Sequence, residues 1–133
     1  MVLGSVCTRR CRFCSVETGL PTELDHAEPD RVADAAAKMG LRHVVVTMVT
    51  RDDLSDGGAG ILVATVEAIR ARGDASVALL TSDFAGNREG RAAVLASEPE
   101  ILAHNVETVE RLTPTVRSNS SYRPPLKLSL IRI

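Results

Sequence analysis

The order of apolar and polar positions along the chain predicts strands and helices in alternation. The apolar stretch MVLGSV, residues 1–6, is short enough to be a single buried strand. Residues 28–40, EPDRVADAAAKMG, predict a helix, because Pro29 lies in the first turn and Gly40 stands as a stop signal. The spacing of its apolar positions predicts one buried face, made of Val32, Ala35, Ala36 and Met39.

The β-branched run RHVVVTM, residues 42–48, predicts a second strand. Because its apolar positions do not alternate with polar ones, we expect a parallel strand that is covered on both faces. Residues 59–72 then predict a second helix that ends before Gly73. The buried face of this helix is expected to carry Leu62, Thr65, Val66 and Ile69.

The same succession continues in the second half of the chain. SVALLT (76–81) predicts a third strand, NREGRAAVLASE (87–98) a third helix and EILAHN (100–105) a fourth strand. Strands that alternate with helices are joined by right-handed crossovers and form a parallel sheet, so we predict an α/β fold of about four β/α units. Towards its end the pattern weakens, and Pro124 and Pro125 stand where another helix would begin.

A polar segment follows each predicted strand. These segments are the cysteine-containing loop at 7–14, TMVTRDD at 47–53, TSDFAGN at 81–87 and HNVET at 104–108. Chemistry in parallel α/β folds gathers at the carboxyl ends of the strands. The four segments are therefore predicted to line one rim of the sheet.

Composition excludes several classes of partner. A length of 133 residues fits one domain. The formal net charge is −1 and basic residues are scattered among acidic ones, so no stripe predicts binding to nucleic acid or to a membrane surface. No apolar run approaches the roughly 20 residues of a membrane helix and no secretory segment opens the chain, so we expect a soluble cytoplasmic protein.

All three cysteines lie in one loop with the spacing C-x3-C-x2-C, at Cys7, Cys11 and Cys14. An odd number in one cluster argues against a disulfide framework and for reduced thiols that bind metal. Structural zinc usually takes four protein ligands, and we interpret His104 as a packed residue at a strand end. An iron–sulfur cluster held by three thiolates leaves one iron open to a small molecule.

Besides an iron–sulfur cluster, two alternatives stay open for this loop. Zinc is one, and a loop of three unligated cysteines is another. The nearby positive charges that we expect to offset a cluster are those of Arg9, Arg10 and Arg12. Elsewhere, Asp52 and Asp53 have the alternative role of capping the second helix. Arg117 either binds a carboxylate or lies in a solvated loop, and we favour the loop.

The cysteine spacing, with Phe13 just before the last cysteine, resembles the signature of the radical S-adenosylmethionine superfamily. Within it, CTRRCRFC, VVVTMVTRDDLSDGGAG, DFAGN and HNVETVERL resemble the lipoyl synthase family, in this order, over residues 1–117. The resemblance implies a partial TIM-type radical SAM barrel, present here as a parallel half-barrel. It also implies that 1–133 is one incomplete barrel domain, in which 118–133 is a tail without a clear match.

The resemblance implies two cofactors. Cys7, Cys11 and Cys14 would bind three irons of a [4Fe–4S] cluster, and S-adenosyl-L-methionine would bind the fourth iron. Further residues are implied to contact this second cofactor: Phe13 at the adenine, Thr47 and Asp52 at the methionine end, and Asn105 and Glu107 at the ribose or methionine groups.

The implied activity is that of an enzyme inserting sulfur into octanoyl groups on lipoyl-carrier proteins. Members of the family use a second cluster, with upstream cysteines and a serine of an RSSY segment, and we interpret RSNSSY (117–122) as a lookalike of that segment. We expect the chain alone to be inactive because those ligands and a complementary barrel half are missing. The alternatives are a non-catalytic module that binds the cluster and S-adenosylmethionine, and one half of a split enzyme.

Overall fold

The computed structural model describes residues 1–21 and 23–123. Its strands are β1 (Val6–Cys7), β2 (Glu17–Thr18), β3 (His43–Thr47), β4 (Ser76–Thr81) and β5 (Ile101–His104). Its helices are α1 (Glu28–Lys38), α2 (Ala59–Arg70), α3 (Arg88–Ala96) and α4 (Thr113–Val116), with 3-10 turns at Phe84–Gly86 and Glu110–Leu112. The predicted break at Pro124 and Pro125 lies outside the described residues.

A parallel sheet in the order β3-β4-β5 forms the centre of the fold. Helix α2 connects β3 to β4, and α3 connects β4 to β5. The predicted α/β class with parallel strands is therefore confirmed, and the described residues form an open half-barrel rather than a closed one. No helix in these residues is both long and apolar enough to cross a lipid bilayer.

The first predicted strand is not continuous. Val2 forms one parallel bridge with Met48, and its amide donates to the carbonyl oxygen of Thr47 at 2.8 Å. Leu3 and Gly4 then adopt left-handed backbone, with φ of 73° and 90°, which ends the pairing. The chain instead pairs β1 with β2 in a separate two-stranded sheet. The prediction of a first strand over 1–6 is thus corrected to a single bridge beside β3.

Strand β3 is covered on one face only. Val44 and Val46 are buried in the core, whereas Val45 between them is 59% exposed. The helices pack on the side of Val44 and Val46, and the opposite side faces the open interior of the half-barrel. The prediction that both faces are covered is therefore wrong, although the strand is parallel as expected.

Helix α1 is rotated relative to the predicted face. Of the four predicted residues, Ala36 is buried and Val32 half-buried, but Ala35 and Met39 are exposed. Ala33, which was not predicted, is buried instead. Because α1 packs chiefly against α2, small side chains at the contact let the two helices approach closely, and the larger Met39 lies in solvent.

Helix α2 presents the predicted face to the core. Leu62, Thr65, Val66 and Ile69 are all buried. The hydroxyl of Thr65 donates to the carbonyl oxygen of Ile61 at 2.6 Å, so its burial leaves no unpaired donor. This face packs in one core with Val77 and Leu79 of β4 and holds the sheet against the helices.

Substitutions of two adjacent valines in β3 compare what a buried and an exposed side chain contribute to the free energy of unfolding. We expect Val46→Ala to lower the free energy of unfolding by about 2 kcal/mol, because two buried methyl groups are removed and a small cavity is left. Val45→Ala removes the same atoms from an exposed position, and we expect a change within about 0.5 kcal/mol. Urea unfolding followed by circular dichroism compares the two. Equal losses would contradict the one-sided burial of the strand.

Candidate active site

A pocket opens at the carboxyl ends of β3, β4 and β5, beside the cysteine loop (residues 7–14). Among the predicted ligand residues, its lining includes Cys7, Cys11, Phe13, Cys14, Thr47, Asn105 and Glu107. Asp52 is not part of this lining. The prediction that the polar segments meet at one rim is borne out by their placement, while the particular contacts predicted for each residue stay predictions.

The sulfur of Cys7 accepts hydrogen bonds from two backbone amides. The donors are the amide of Arg9 at 3.5 Å and the amide of Thr50 at 3.4 Å. In a turn that follows, the amide of Cys14 donates to the carbonyl oxygen of Cys11 at 3.1 Å. Hydrogen bonds to the sulfurs are one of the means by which proteins tune iron–sulfur clusters, so the loop suits such a group.

Three buried polar atoms without a hydrogen-bond partner belong to residues that line this pocket. They are Thr81 Oγ1, His104 Nε2 and Arg117 Nε. His104 Nδ1 lies 2.7 Å from the carbonyl oxygen of Thr81, so Nδ1 carries the proton and Nε2 presents a lone pair when the ring is neutral. Buried polar atoms are nearly always paired. Because all three residues line one pocket, a polar ligand bound there would supply the missing hydrogen bonds.

Arg117 is buried rather than solvated, so its assignment to a solvated loop is wrong. Its side chain is held by a hydrogen bond from Nη1 to the carbonyl oxygen of Val106, at 3.3 Å. No carboxylate of the described residues forms an ion pair with it. A bridge between Cys11 and Arg117 lays its backbone along the cysteine loop. Arg117 is buried because the end of α4 lies beside the cysteine loop. This contact cannot be predicted from the local sequence.

Arg9 occupies the centre of a buried ionic network. Its Nε and Nη2 donate to the two oxygens of Asp52, each at 2.9 Å. Its Nη1 donates to Asp83 Oδ2 at 2.9 Å, and Nη2 also donates to Asp83 Oδ1. Two carboxylates therefore neutralise this guanidinium, and the expectation that Arg9 offsets the charge of a cluster is wrong.

The helix-capping alternative for Asp52 and Asp53 is also wrong. Asp52 binds Arg9, and Asp53 binds Arg51 with a shortest distance of 2.8 Å. The residue that serves the start of α2 is Asp56, whose Oδ1 and Oδ2 accept from the amides of residues 58 and 60 at 2.9 and 2.8 Å. The polar loop after β3 thus separates into one part that supports the cysteine loop and one that starts a helix.

The ionic network predicts how stability depends on pH. Burial alone would raise the pKa of Asp83, but the hydrogen bonds and charge of Arg9 outweigh it and hold the pKa below its usual range. A lowered pKa in the folded state stabilises the protein above the pKa of the unfolded chain, and this stabilisation is lost as pH falls through the folded value.

We therefore expect the stability advantage of the unchanged chain over Asp83→Asn to be constant near neutral pH and to shrink below about pH 4. Urea unfolding at pH 7, 5, 4 and 3 measures it. Asp30→Asn, at a carboxylate exposed on α1, serves as the control. An advantage that is unchanged at pH 3 would show that the Asp83 carboxylate does not carry the effect.

Within residues 1–21 and 23–123, no group of three or more His, Cys, Asp or Glu side chains is placed to hold a single metal ion. A cluster in which each cysteine binds its own iron does not require the three sulfurs to meet at one point. The common pocket lining and the amide donors at Cys7 fit that arrangement.

Comparison with known proteins agrees with this geometry. The family model described as the Radical SAM superfamily matches residues 1–127. The lipoyl synthase of Bacillus subtilis (strain 168) is 55% identical over 123 residues, covering 92% of this chain and 41% of the relative. Those of Symbiobacterium thermophilum and Halalkalibacterium halodurans are 54% and 52% identical over 96% of this chain and 40% and 42% of the relatives. The chain thus spans about two fifths of the length of these relatives.

Proposed function

Because the chain belongs to the Radical SAM superfamily, which is an enzyme family, we propose that Cys7, Cys11 and Cys14 each bind one iron of a [4Fe–4S] cluster. S-adenosylmethionine would bind in the adjoining pocket and would be the ligand of the remaining iron. The observation that carries the proposal is that three thiols and three residues with buried, unpaired polar atoms line the same pocket. A polar cofactor beside a thiolate-bound cluster would satisfy both sets of groups.

The chemistry supplied by the bound cluster is one-electron cleavage of the sulfonium, which yields methionine and a 5′-deoxyadenosyl radical. The residues of this chain bind and orient the substrate of that cleavage. Arg117 binds the methionine carboxylate, because its guanidinium is buried at the pocket and has no acidic partner among the described residues. His104 Nε2 accepts a hydrogen bond from an ammonium or hydroxyl group of the cofactor.

For the remaining residues of the lining we propose the cofactor contacts that the family resemblance implies. Phe13 is 54% exposed at the pocket, and an aromatic ring there suits stacking against adenine. Thr47 lies at the end of β3 and contacts the methionine end, whereas Asn105 and Glu107 reach the ribose or the methionine groups. Asp52 acts on the cofactor through the cysteine loop, since its carboxylate binds Arg9.

We propose that the reaction of the whole protein is sulfur insertion into octanoyl groups on lipoyl-carrier domains, which forms the lipoyl cofactor. Support comes from relatives named lipoyl synthase at 52–55% identity. Residues 1–133 contain no cysteine besides the three of the loop. Ligands from outside these residues must therefore hold a second, sulfur-donating cluster, and the chain alone does not form lipoyl groups.

Two of the three serines of RSNSSY (117–122) support its interpretation as a lookalike of the cluster-binding segment. The hydroxyl of Ser118 donates to the carbonyl oxygen of Arg10 at 3.2 Å. Ser120 Oγ accepts from Arg9 Nη1 at 3.1 Å. Ser118 and Ser120 thus both form hydrogen bonds with the cysteine loop, and we assign this segment to the support of that loop.

The open side of the sheet supports a partner role for a complementary barrel half. Val45 and Ile101 are 59% and 51% exposed on the face opposite the helices, and β5 has an unpaired edge among the described residues. We propose that residues 1–133 are one incomplete barrel domain. A complementary half covers this face and joins the edge of β5, and the octanoylated carrier domain approaches the pocket.

Anaerobic reconstitution with iron and sulfide tests the proposed site. We expect about four irons per chain and an electron paramagnetic resonance spectrum of the reduced cluster that changes when S-adenosylmethionine is added. Dithionite is then added and 5′-deoxyadenosine is measured by chromatography. Its formation supports the radical site, whereas a cofactor-sensitive cluster without it favours the non-catalytic module. Stoichiometric zinc with no iron uptake would overturn the proposal.

A further inference from the structure

Arg9 joins the cysteine loop to three segments that are distant in sequence. Its guanidinium binds Asp52 after β3, Asp83 after β4 and Ser120 after α4. The side chain of Arg9 is only 5% exposed and that of Asp83 only 1%, so the contact is made in the interior. All three guanidinium nitrogens are used as donors, which fixes the plane of the group as well as its position.

Asp83 is itself held in place by a contact that does not involve Arg9. The amide of Ala85 donates to Asp83 Oδ1 at 3.0 Å. Phe84 and Ala85 have φ of 52° and 50°, a left-handed turn directly after Asp83, and both Asp83 and Phe84 are buried. Backbone strain of this kind persists only where the surroundings enforce it. Asp52 has a second contact with the cysteine loop itself, because Thr8 Oγ1 donates to its Oδ2 at 3.0 Å.

From this geometry we propose that Arg9 is the positioning residue of the cluster site. It holds Cys7, Cys11 and Cys14 beside the pocket at the strand ends before any cluster binds. The inference rests on the proposed function for the identity of the cluster. Since Asp52 and Asp83 neutralise its charge, Arg9 acts on the cluster by placing the loop and not by supplying a positive charge.

Arg10 provides a matched control for this inference. It carries the same charge, lies next to Arg9 in the same loop and is exposed. A lysine at position 9 keeps the charge but cannot bind two carboxylates in a bidentate manner. Positioning and charge therefore make opposite predictions for Arg9→Lys.

The experiment compares Arg9→Lys, Arg9→Gln and Arg10→Gln with the unchanged chain after anaerobic reconstitution. Iron retained against a competing chelator is measured, together with the spectral change on adding S-adenosylmethionine. We expect both Arg9 variants to bind iron about tenfold or more weakly and to lose the spectral change, and Arg10→Gln to match the unchanged chain. Normal retention in Arg9→Lys, or equal losses in Arg9→Gln and Arg10→Gln, would overturn the proposal.

Hydrogen exchange of the cluster-free chain separates this inference from the proposed function. We expect the amides of Thr8 and Arg12, which donate to the carbonyl oxygens of residues 50 and 116, to be protected in the unchanged chain. In Arg9→Lys that protection is lost while amides of α2 keep theirs. This result supports positioning even if no cluster assembles, and unchanged protection overturns it even if one does.

A milder variant serves if Arg9→Lys does not fold. Asp52→Asn keeps the buried pair of Arg9 with Asp83 and changes only the carboxylate that is 30% exposed. An intermediate loss of iron retention supports the positioning role. Retention equal to that of the unchanged chain overturns it.

Discussion

Cys11→Ala is expected to leave anaerobic reconstitution with almost no stably bound iron, against about four irons per chain for the unchanged protein. The thiol of Cys11 lies between the other two in the loop and lines the same pocket. No other cysteine exists in residues 1–133 to replace it. Iron and sulfide analysis together with the visible absorbance spectrum measures the result.

Ser15→Ala is the matched control for this substitution. Ser15 is exposed, lies next to Cys14 and loses one heavy atom, as Cys11 does. We expect it to take up iron like the unchanged chain. If Cys11→Ala still bound a full complement of iron, the assignment of all three cysteines to one cluster would be refuted.

Arg117→Gln is expected to weaken binding of S-adenosylmethionine to the reconstituted protein roughly 10- to 100-fold, since a charge-assisted hydrogen bond contributes about 1.5–3 kcal/mol. The expectation follows from the burial of the guanidinium at the pocket and its unpaired Nε. Equilibrium dialysis with labelled cofactor measures the affinity, and iron content is measured in parallel.

Arg111→Gln removes the same charge from an exposed position in the same part of the chain. We expect its affinity for the cofactor to be unchanged, which separates direct binding from a general effect of net charge. Arg117→Lys should recover part of the affinity, because it restores the charge without the planar geometry. A normal affinity in Arg117→Gln would remove Arg117 from the binding site.

Sequence periodicity predicts those elements whose burial is decided within the element itself. Helix α2 and strand β4 have enough large apolar residues to define the core on their own, and the face with Leu62 and Val66 is buried as predicted. In α1, small alanines on several sides leave the orientation to its neighbour α2. The rotation that exposes Met39 therefore depends on tertiary packing, which the pattern of a single helix does not encode.

Strand β3 shows a similar limit in the sheet. Three successive valines are compatible with a strand covered on one face or on both. The exposure of Val45 depends on what lies across the interior of the half-barrel, which no residue of β3 determines. The break after Val2 depends on a left-handed turn at Leu3, a residue that rarely adopts it.

The candidate site could likewise be predicted only in part. Spacing alone indicates that the cysteines act together, and the order of strands brings Thr47, Asn105 and Glu107 to their rim. The pairing of Arg9 with Asp83 and the burial of Arg117 could not be predicted. Both depend on contacts between segments that are separate in the sequence, and local patterns carry no information on such contacts. An arginine beside a cysteine suggests that its charge acts on a bound cluster. The contacts of Arg9 show instead that it connects the cysteine loop to the segments of Asp52 and Asp83.

The contacts of Arg9 determine at which stage of folding the cysteine loop reaches its final position. Arg9 is separated from Asp83 by 74 positions and from Ser120 by 111. Contacts of such long range form late, because the intervening chain must first close a large loop. During synthesis from the amino terminus, the cysteines are therefore made before the residues that hold their loop. The loop thus reaches its final position only after Asp83 and Ser120 have been made, and we expect stable iron binding to follow the folding of these segments.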